Sequence, residues 1–164
     1  MIGERAIVRS GSVIYLGSKI GSDLETGHNV ILREENKLGN NVRIWANSVI
    51  DYGCTIGDNV KIHSNCYMAQ LTVVEDCVFI APGVMIANEK YPTGEFNPER
   101  IEGPVIKRGA RIGIGTIILP SVVVGEDSLV GAGSLVTRDV PPGSVVFGSP
   151  ARLSKNLTRL KDYA

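Results

Sequence analysis

Aliphatic residues recur at every sixth position through most of the chain. Stepping by six from Ile2 gives Val8, Ile14, Ile20, Thr26, Leu32, Leu38, Ile44, Ile50, Ile56, Ile62, Met68, Val74, Ile80 and Ile86, and Thr26 alone breaks the aliphatic column. The beat returns as Ile106, Ile112, Ile118, Val124, Val130 and Val136. Four positions after each beat the residue is usually small or β-branched, as at Ser12, Val30, Ser48, Thr72, Ala110 and Ser134. A six-residue period fits neither a 3.6-residue helix nor simple alternation. It fits short strands separated by turns, each unit sending one large and one small side chain inward. Stretches such as "IGDN", "LGNN" and "VGED" supply the turns. The pattern predicts an all-β parallel solenoid.

The beat breaks once, in "IANEKYPTGEFNPERIEGPVIK" between Ile86 and Ile106, where Pro92, Pro98 and Pro104 fall. An insertion of two, eight or fourteen residues would restore it. A solenoid stacks equally well without such an excursion, so a loop extruded near residues 89–104 has either a separate use or none.

The units read as [Leu/Ile/Val]-Gly-x-x-small-x, as in "IGDNVK", "VGEDSL" and "VGAGSL". They resemble the repeats of the hexapeptide-repeat acyltransferases, and the resemblance runs over nearly the whole chain. It implies a left-handed β-helix with three units per coil, outside the right-handed crossover rule. Twenty-one units give about seven coils, a prism roughly 34 Å tall at about 4.8 Å per coil. Residues eighteen apart then stack in columns. With fourteen residues inserted, one column reads Glu34, Tyr52, Gln70, Asn88, Pro120 and Arg138, and a neighbouring one reads His28, Ala46, Ser64, Pro82, Ile114 and Ala132.

Three segments carry more specific resemblance. "IANEKYP" is similar to the "ndkyP" segment of enzymes that acetylate the 3-amino group of nucleotide-linked sugars. Where the wider superfamily often has a catalytic histidine, this chain has Asn88, which the resemblance makes the catalytic candidate, with Tyr91 on the substrate. "TGHNVILREENKLGNNV" is similar to "tGHn…iRe…iGdnv" of the amino-sugar enzymes, which puts His28 and Glu34 on the acceptor side; Gln70 shares the column of Glu34. "IGIGTIILPSVVVGEDSLVGAGSLVTRDVPPGSVVFGSPAR" resembles the family's acyl-CoA segment. It implies Gly113, Ile114, Gly115 and Ala132 beside the pantetheine arm, and Arg138, Arg152 or Lys155 near the phosphates. Trp45 falls one coil from His63, where packing is the expected role.

The resemblance therefore implies an acetyl-CoA-dependent N-acetyltransferase acting on a nucleotide-linked amino sugar, a homotrimer whose loops reach over neighbouring subunits. The alternatives are O-acetylation of a sugar or other small acceptor, and a non-catalytic assembly module. Composition narrows these little. Lysines plus arginines equal aspartates plus glutamates at 17 each, so no global field favours nucleic acid or an anionic membrane. Runs such as "TIILPSVVVG" are too short to span a bilayer, and "MIGERAIVRSG" lacks the centre of a signal peptide. A cytoplasmic protein is the expectation. Cys54, Cys66 and Cys77 have no CxxC spacing and read as small core or near-core residues. His28 and His63 fall short of the three histidines of a carbonic-anhydrase zinc site, so no metal is expected. The expected organisation is one solenoid over residues 1–150 and a helical tail over 151–164, with Leu153, Leu157 and Leu160 at packing intervals.

Overall fold

The computed structural model describes residues 1–92 and 97–154. The chain winds as a left-handed parallel β-helix of about seven coils with three faces. The first face starts with β1 (Val13–Ile14) and β4 (Ile31–Leu32), the second with β2 (Lys19–Ile20), and the third with β3 (Glu25–Thr26). These sheets hold seven, six and eight strands respectively.

Register follows the repeat. Val13 pairs with Ile31 and Ile31 with Val49, eighteen positions apart each time. Val73 pairs with Thr55 below but with Val105 above, 32 positions on, so fourteen residues are inserted and the stacking resumes unshifted. The stems of the insertion are zipped at their base: the Glu102 N–H donates to the Asn88 carbonyl at 2.9 Å, and Glu89 bridges Ile101 in antiparallel sense. Gly103 passes so close over the Leu71–Thr72 peptide that a Cβ would lie 2.4 Å from its atoms, so only glycine fits there.

The inward column is the core. Leu32, Ile44, Ile50, Ile62, Met68, Ile80, Ile106 and Ile118 have no exposed surface. Thr26 is equally buried, its hydroxyl accepting the Arg9 N–H at 3.0 Å, which satisfies the polar atom that broke the pattern. Cys54 and Cys66 are buried and donate to the Ala69 and Ala81 carbonyls, both at 3.2 Å; burial pushes the Cys54 thiol up to about 12. Cys77 departs from the expectation. It is exposed at a left-handed turn position (φ +60°), because it occupies the corner place that Asn41 and Asn59 fill in the coils below, not the inward one.

The end of the chain also differs. Leu153 is in a strand, β21 (Arg152–Leu153), which runs antiparallel to β20 (Val145–Phe147). The reversal covers backbone groups that the last strand of the third face would otherwise leave as an open edge. Leu157 and Leu160, expected in the same helix, lie outside the described residues.

Polar residues inside the corner between the first and second faces hold the turns in shape. Asn36 is fully buried; its amide donates to the Arg33 and Ile50 carbonyls at 2.8 and 3.4 Å and accepts the Cys54 N–H at 2.7 Å. Asn36→Ala removes these partners at once and is expected to lower stability by roughly 2 to 4 kcal/mol. Exposed Lys37→Ala, the next residue along, should change it by less than about 1 kcal/mol, both read from urea unfolding midpoints.

Candidate functional site

The candidate residues divide between two edges of the prism. Glu34, Tyr52, Gln70, Asn88, Pro120 and Arg138 follow the strands of the first face and lie on its edge with the second. His28, Ile114 and Ala132 follow strands of the third face and lie on its edge with the first. The inserted residues number fourteen, so both columns form as expected. His28, however, is not below Asn88. The two edges are separated by the width of the first face, six residues of chain or at most about 20 Å.

On the first edge Asn88 is half-buried where the loop departs. It stands about 10 Å, two coils, from Arg138, and about 14 Å, three coils, from Glu34. Glu34 accepts from the Arg33 guanidinium at 3.0 Å. Its own backbone N–H, and then Arg33, hold its carboxyl below the usual carboxylate range. Tyr91 is exposed on the loop with the Lys90 ammonium 5.6 Å from its ring centre. Both line a cleft of about 560 Å³ with Glu102 and Ser121. The Ser121 hydroxyl donates to Glu102 at 2.5 Å and fixes the returning stem to the coil above Asn88. Arg138 and Arg152 meet at a hollow of about 190 Å³ at the C-terminal end of the solenoid.

The other edge changes character along its length. In lower coils its left-handed turn position is Asn29, Asn47 and Asn65, with amides donating upward at 3.3 and 3.4 Å. In upper coils the same position is Gly83, Gly115 and Gly133. A Cβ at Gly115 or Gly133 would meet nothing within 4 Å, so these glycines leave an open strip beside exposed Ile114 and Ala132. Gly113 has a different role: a Cβ there would lie 2.5 Å from the Ala132 nitrogen, so its smallness serves coil stacking. The Gly113 and Gly115 N–H groups donate to the Val130 and Pro82 carbonyls at 2.8 and 2.9 Å. Of the three amides in this segment, only that of Ile114 has no partner among the described residues. His28 is exposed lower on the same edge, its Nδ1 sharing a hydrogen with the Ser10 hydroxyl at 2.9 Å.

Between the edges, the outward side of the first face is apolar. Val13, Ile31, Val49, Met85, Ile117 and Leu135 form one column with Tyr67, and Val13, Met85 and Ile117 are 44–47% exposed. A buried carboxylate with its arginine partner interrupts it, and the repeat alone does not single it out. Asp51 is buried and accepts from Arg33 at 3.1 Å, from the Tyr67 hydroxyl at 2.5 Å and from the Tyr52 N–H at 2.7 Å. The signal for it was the eighteen-residue spacing of Arg33 and Asp51, opposite charges on adjacent coils. Among the described residues no group of three or more His, Cys, Asp or Glu is placed to hold a metal ion, and no helix is long and apolar enough to cross a membrane.

Against known proteins, residues 37–70 and 103–138 match the bacterial transferase hexapeptide model of six repeats. A crystal structure from Bacillus cereus, of a protein assigned as an acetyltransferase, superposes with a TM-score of 0.75, covering 92% of this chain and 86% of that one at 27% identity. Residues 37–70 and 103–138 thus carry hexapeptide repeats of the bacterial transferase type, and the same stacked coils continue on either side of them. Among curated relatives, the dTDP-3-amino-3,6-dideoxy-alpha-D-galactopyranose 3-N-acetyltransferase of Aneurinibacillus thermoaerophilus is 43% identical over 56 residues, 34% of this chain and 29% of that protein. The galactoside O-acetyltransferase of Escherichia coli K12 is 35% identical over 105 residues, 57% of this chain and 52% of that enzyme. The chain thus spans about half the length, or less, of these two relatives.

Burial, and then the hydrogen bond to Asp51, push the Tyr67 phenol up to about 12. A phenol raised in the fold stabilises below its unfolded value of about 10, and that contribution is lost as pH rises toward 12. In an ultraviolet titration of tyrosinate the last phenol should ionise near 12. Tyr67→Phe should remove that last step and leave the earlier ones in place.

Proposed function

We propose that the protein is an acetyl-CoA-dependent N-acetyltransferase whose acceptor is a nucleotide-linked amino sugar, and that it works as a homotrimer. The match to the 3-N-acetyltransferase carries this reading. The geometry suggests where the chemistry would occur. Asn88 lies on one edge of the first face and the glycine-lined strip on the other, so neither edge of one chain holds a whole site. The face between them is exposed and apolar. Three copies packed on that face about a threefold axis would cover it and bring the Asn88 edge of one against the glycine edge of the next. The loop that leaves at Asn88 would then close a cleft between subunits.

In that cleft the pantetheine arm would follow the strip beside Gly115, Ala132 and Gly133. The acceptor amine needs little activation. With an α-amino group as guide, its conjugate acid has a pKa near 8, so roughly a tenth is neutral at pH 7. Asn88 would hold the nitrogen beside the thioester, a matter of positioning. As nitrogen attacks the carbonyl carbon, the Ile114 N–H is the free amide that could receive the developing oxyanion. Collapse breaks the C–S bond, and the departing thiolate takes the proton lost by nitrogen.

The test is incubation with acetyl-CoA and a panel of nucleotide-linked 3-amino and 4-amino sugars, following acceptor mass gain and thiol release together. Acetylation of at least one amine is expected; transfer only to hydroxyl acceptors, or none, would contradict the proposal. On the best acceptor Asn88→Ala should lower kcat about a hundredfold. His63→Ala should lower kcat by less than about tenfold, below the usual range for loss of a general base.

A further inference from the structure

The outward side of the third face carries a feature that acetyl transfer does not use. Trp45 and His63 stack with ring centres 4.6 Å apart and planes 7° from parallel, and Phe79, from the neighbouring column of Arg43 and Lys61, leans on His63 with its centre 5.1 Å away and its plane tilted by 58°. The first spacing equals the rise of about one coil, so the indole and imidazole pile along the solenoid axis with Phe79 flanking them. The indole and imidazole are half-buried, and Phe79 is 37% exposed. One rung below Trp45 the column holds Gly27, which has no side chain. The pile therefore ends on an indole above Gly27, with the Arg9 guanidinium reaching that rung from below to the Thr26 carbonyl and Glu25, and a planar ring that carries an anion can stack there.

Cations stand beside the rings. Arg43 and Lys61 are directly registered partners on adjacent strands, two residues before Trp45 and His63 on the same outward side. Like charges so placed repel. Arg43 has only a distant contact with Glu25, at 3.7 Å, and Lys61 has no ion-pair partner among the described residues. An anion joined to a planar ring answers both features at once: the ring extends the stack and the phosphates relieve the repulsion.

We infer that Trp45 and His63, with Arg43 and Lys61, bind the nucleoside diphosphate moiety of the acceptor, an assignment that rests on the nucleotide-linked amino-sugar reading. Position favours the acceptor over CoA. Trp45 adjoins Ala46, directly above His28, and His63 lies two coils, about 10 Å, below Gly113. The upper coils hold the open strip and Arg138 and Arg152, where the CoA arm and phosphates would run. The two nucleotides would thus extend in opposite directions from the thioester.

Trp45 is the sole tryptophan, so its fluorescence reports on this surface. The intact chain is titrated at fixed ionic strength with TDP, with UDP, with CoA and with inorganic pyrophosphate. The expected result is saturable quenching by TDP or UDP and none by pyrophosphate, with affinity at least tenfold weaker in Lys61→Glu and in Arg43→Ala. Quenching by CoA alone, by no nucleotide, or with affinity unchanged in both variants would overturn the assignment. Steady-state kinetics separates this from the parent reading. Lys61→Glu should raise the KM for a nucleotide-linked amino sugar about tenfold and leave that for acetyl-CoA alone. Acetylation with an unchanged acceptor KM would sink the platform and spare the transferase. Nucleotide quenching without any acetylation would do the reverse.

Discussion

The close parallel stacking of one coil on the next governs this molecule. Each coil donates its backbone N–H groups to the carbonyls of a neighbour at about 2.7–3.1 Å, from Gly3 to Gly131. Because the hydrogen-bonded register is fixed at eighteen residues, every position becomes a column and every column a surface. Local choices then follow. Inward places must be apolar or fully satisfied, as Thr26 and Asn36 are. Corner places demand positive φ and so mostly take asparagine or glycine, although Glu35, Leu71 and Cys77 also adopt it. Only outward places and the single insertion are left free to carry chemistry.

That freedom is used unevenly. The first face is largely apolar but carries the Arg33–Asp51 pair, and three donors compensate the burial of Asp51. The third face carries a ring pile and cations. The insertion costs the solenoid no register, since Val73 bonds across it to Pro104 as if nothing intervened. The proposed site exploits the same property: equivalent heights along the axis on different edges can meet between copies, while no edge of one copy needs to hold every group.

Much of this was legible in the sequence because the period is exact in residues and needs no knowledge of contacts. The beat gave the core, the coil number and, once the insertion length was set, the columns through Asn88 and Ala132. What the period could not supply was anything depending on which atoms are already occupied. Gly113 and Gly115 look alike in sequence, yet one is crowded by the coil above and the other stands open. Their amides are both engaged, which leaves Ile114. His28 and Glu34 are six residues apart and fall on opposite edges, a consequence of the triangular section that linear proximity hides. Leu153 followed a helical spacing, but an unpaired sheet edge beside it drew the chain into a strand.

The central claim is that one site is assembled from the Asn88 edge of one copy and the glycine edge of another. Mixed oligomers test it most directly. Asn88→Ala spoils the first edge, and Ala132→Tyr fills the strip on the other; each variant alone should be nearly inactive. Co-expressed with different affinity tags and purified through both, the mixed assemblies should regain acetyl transfer, because one interface in each mixed trimer unites two intact edges. Verified mixed assemblies that stay as inactive as either parent would contradict the account, as would full activity in a monomer.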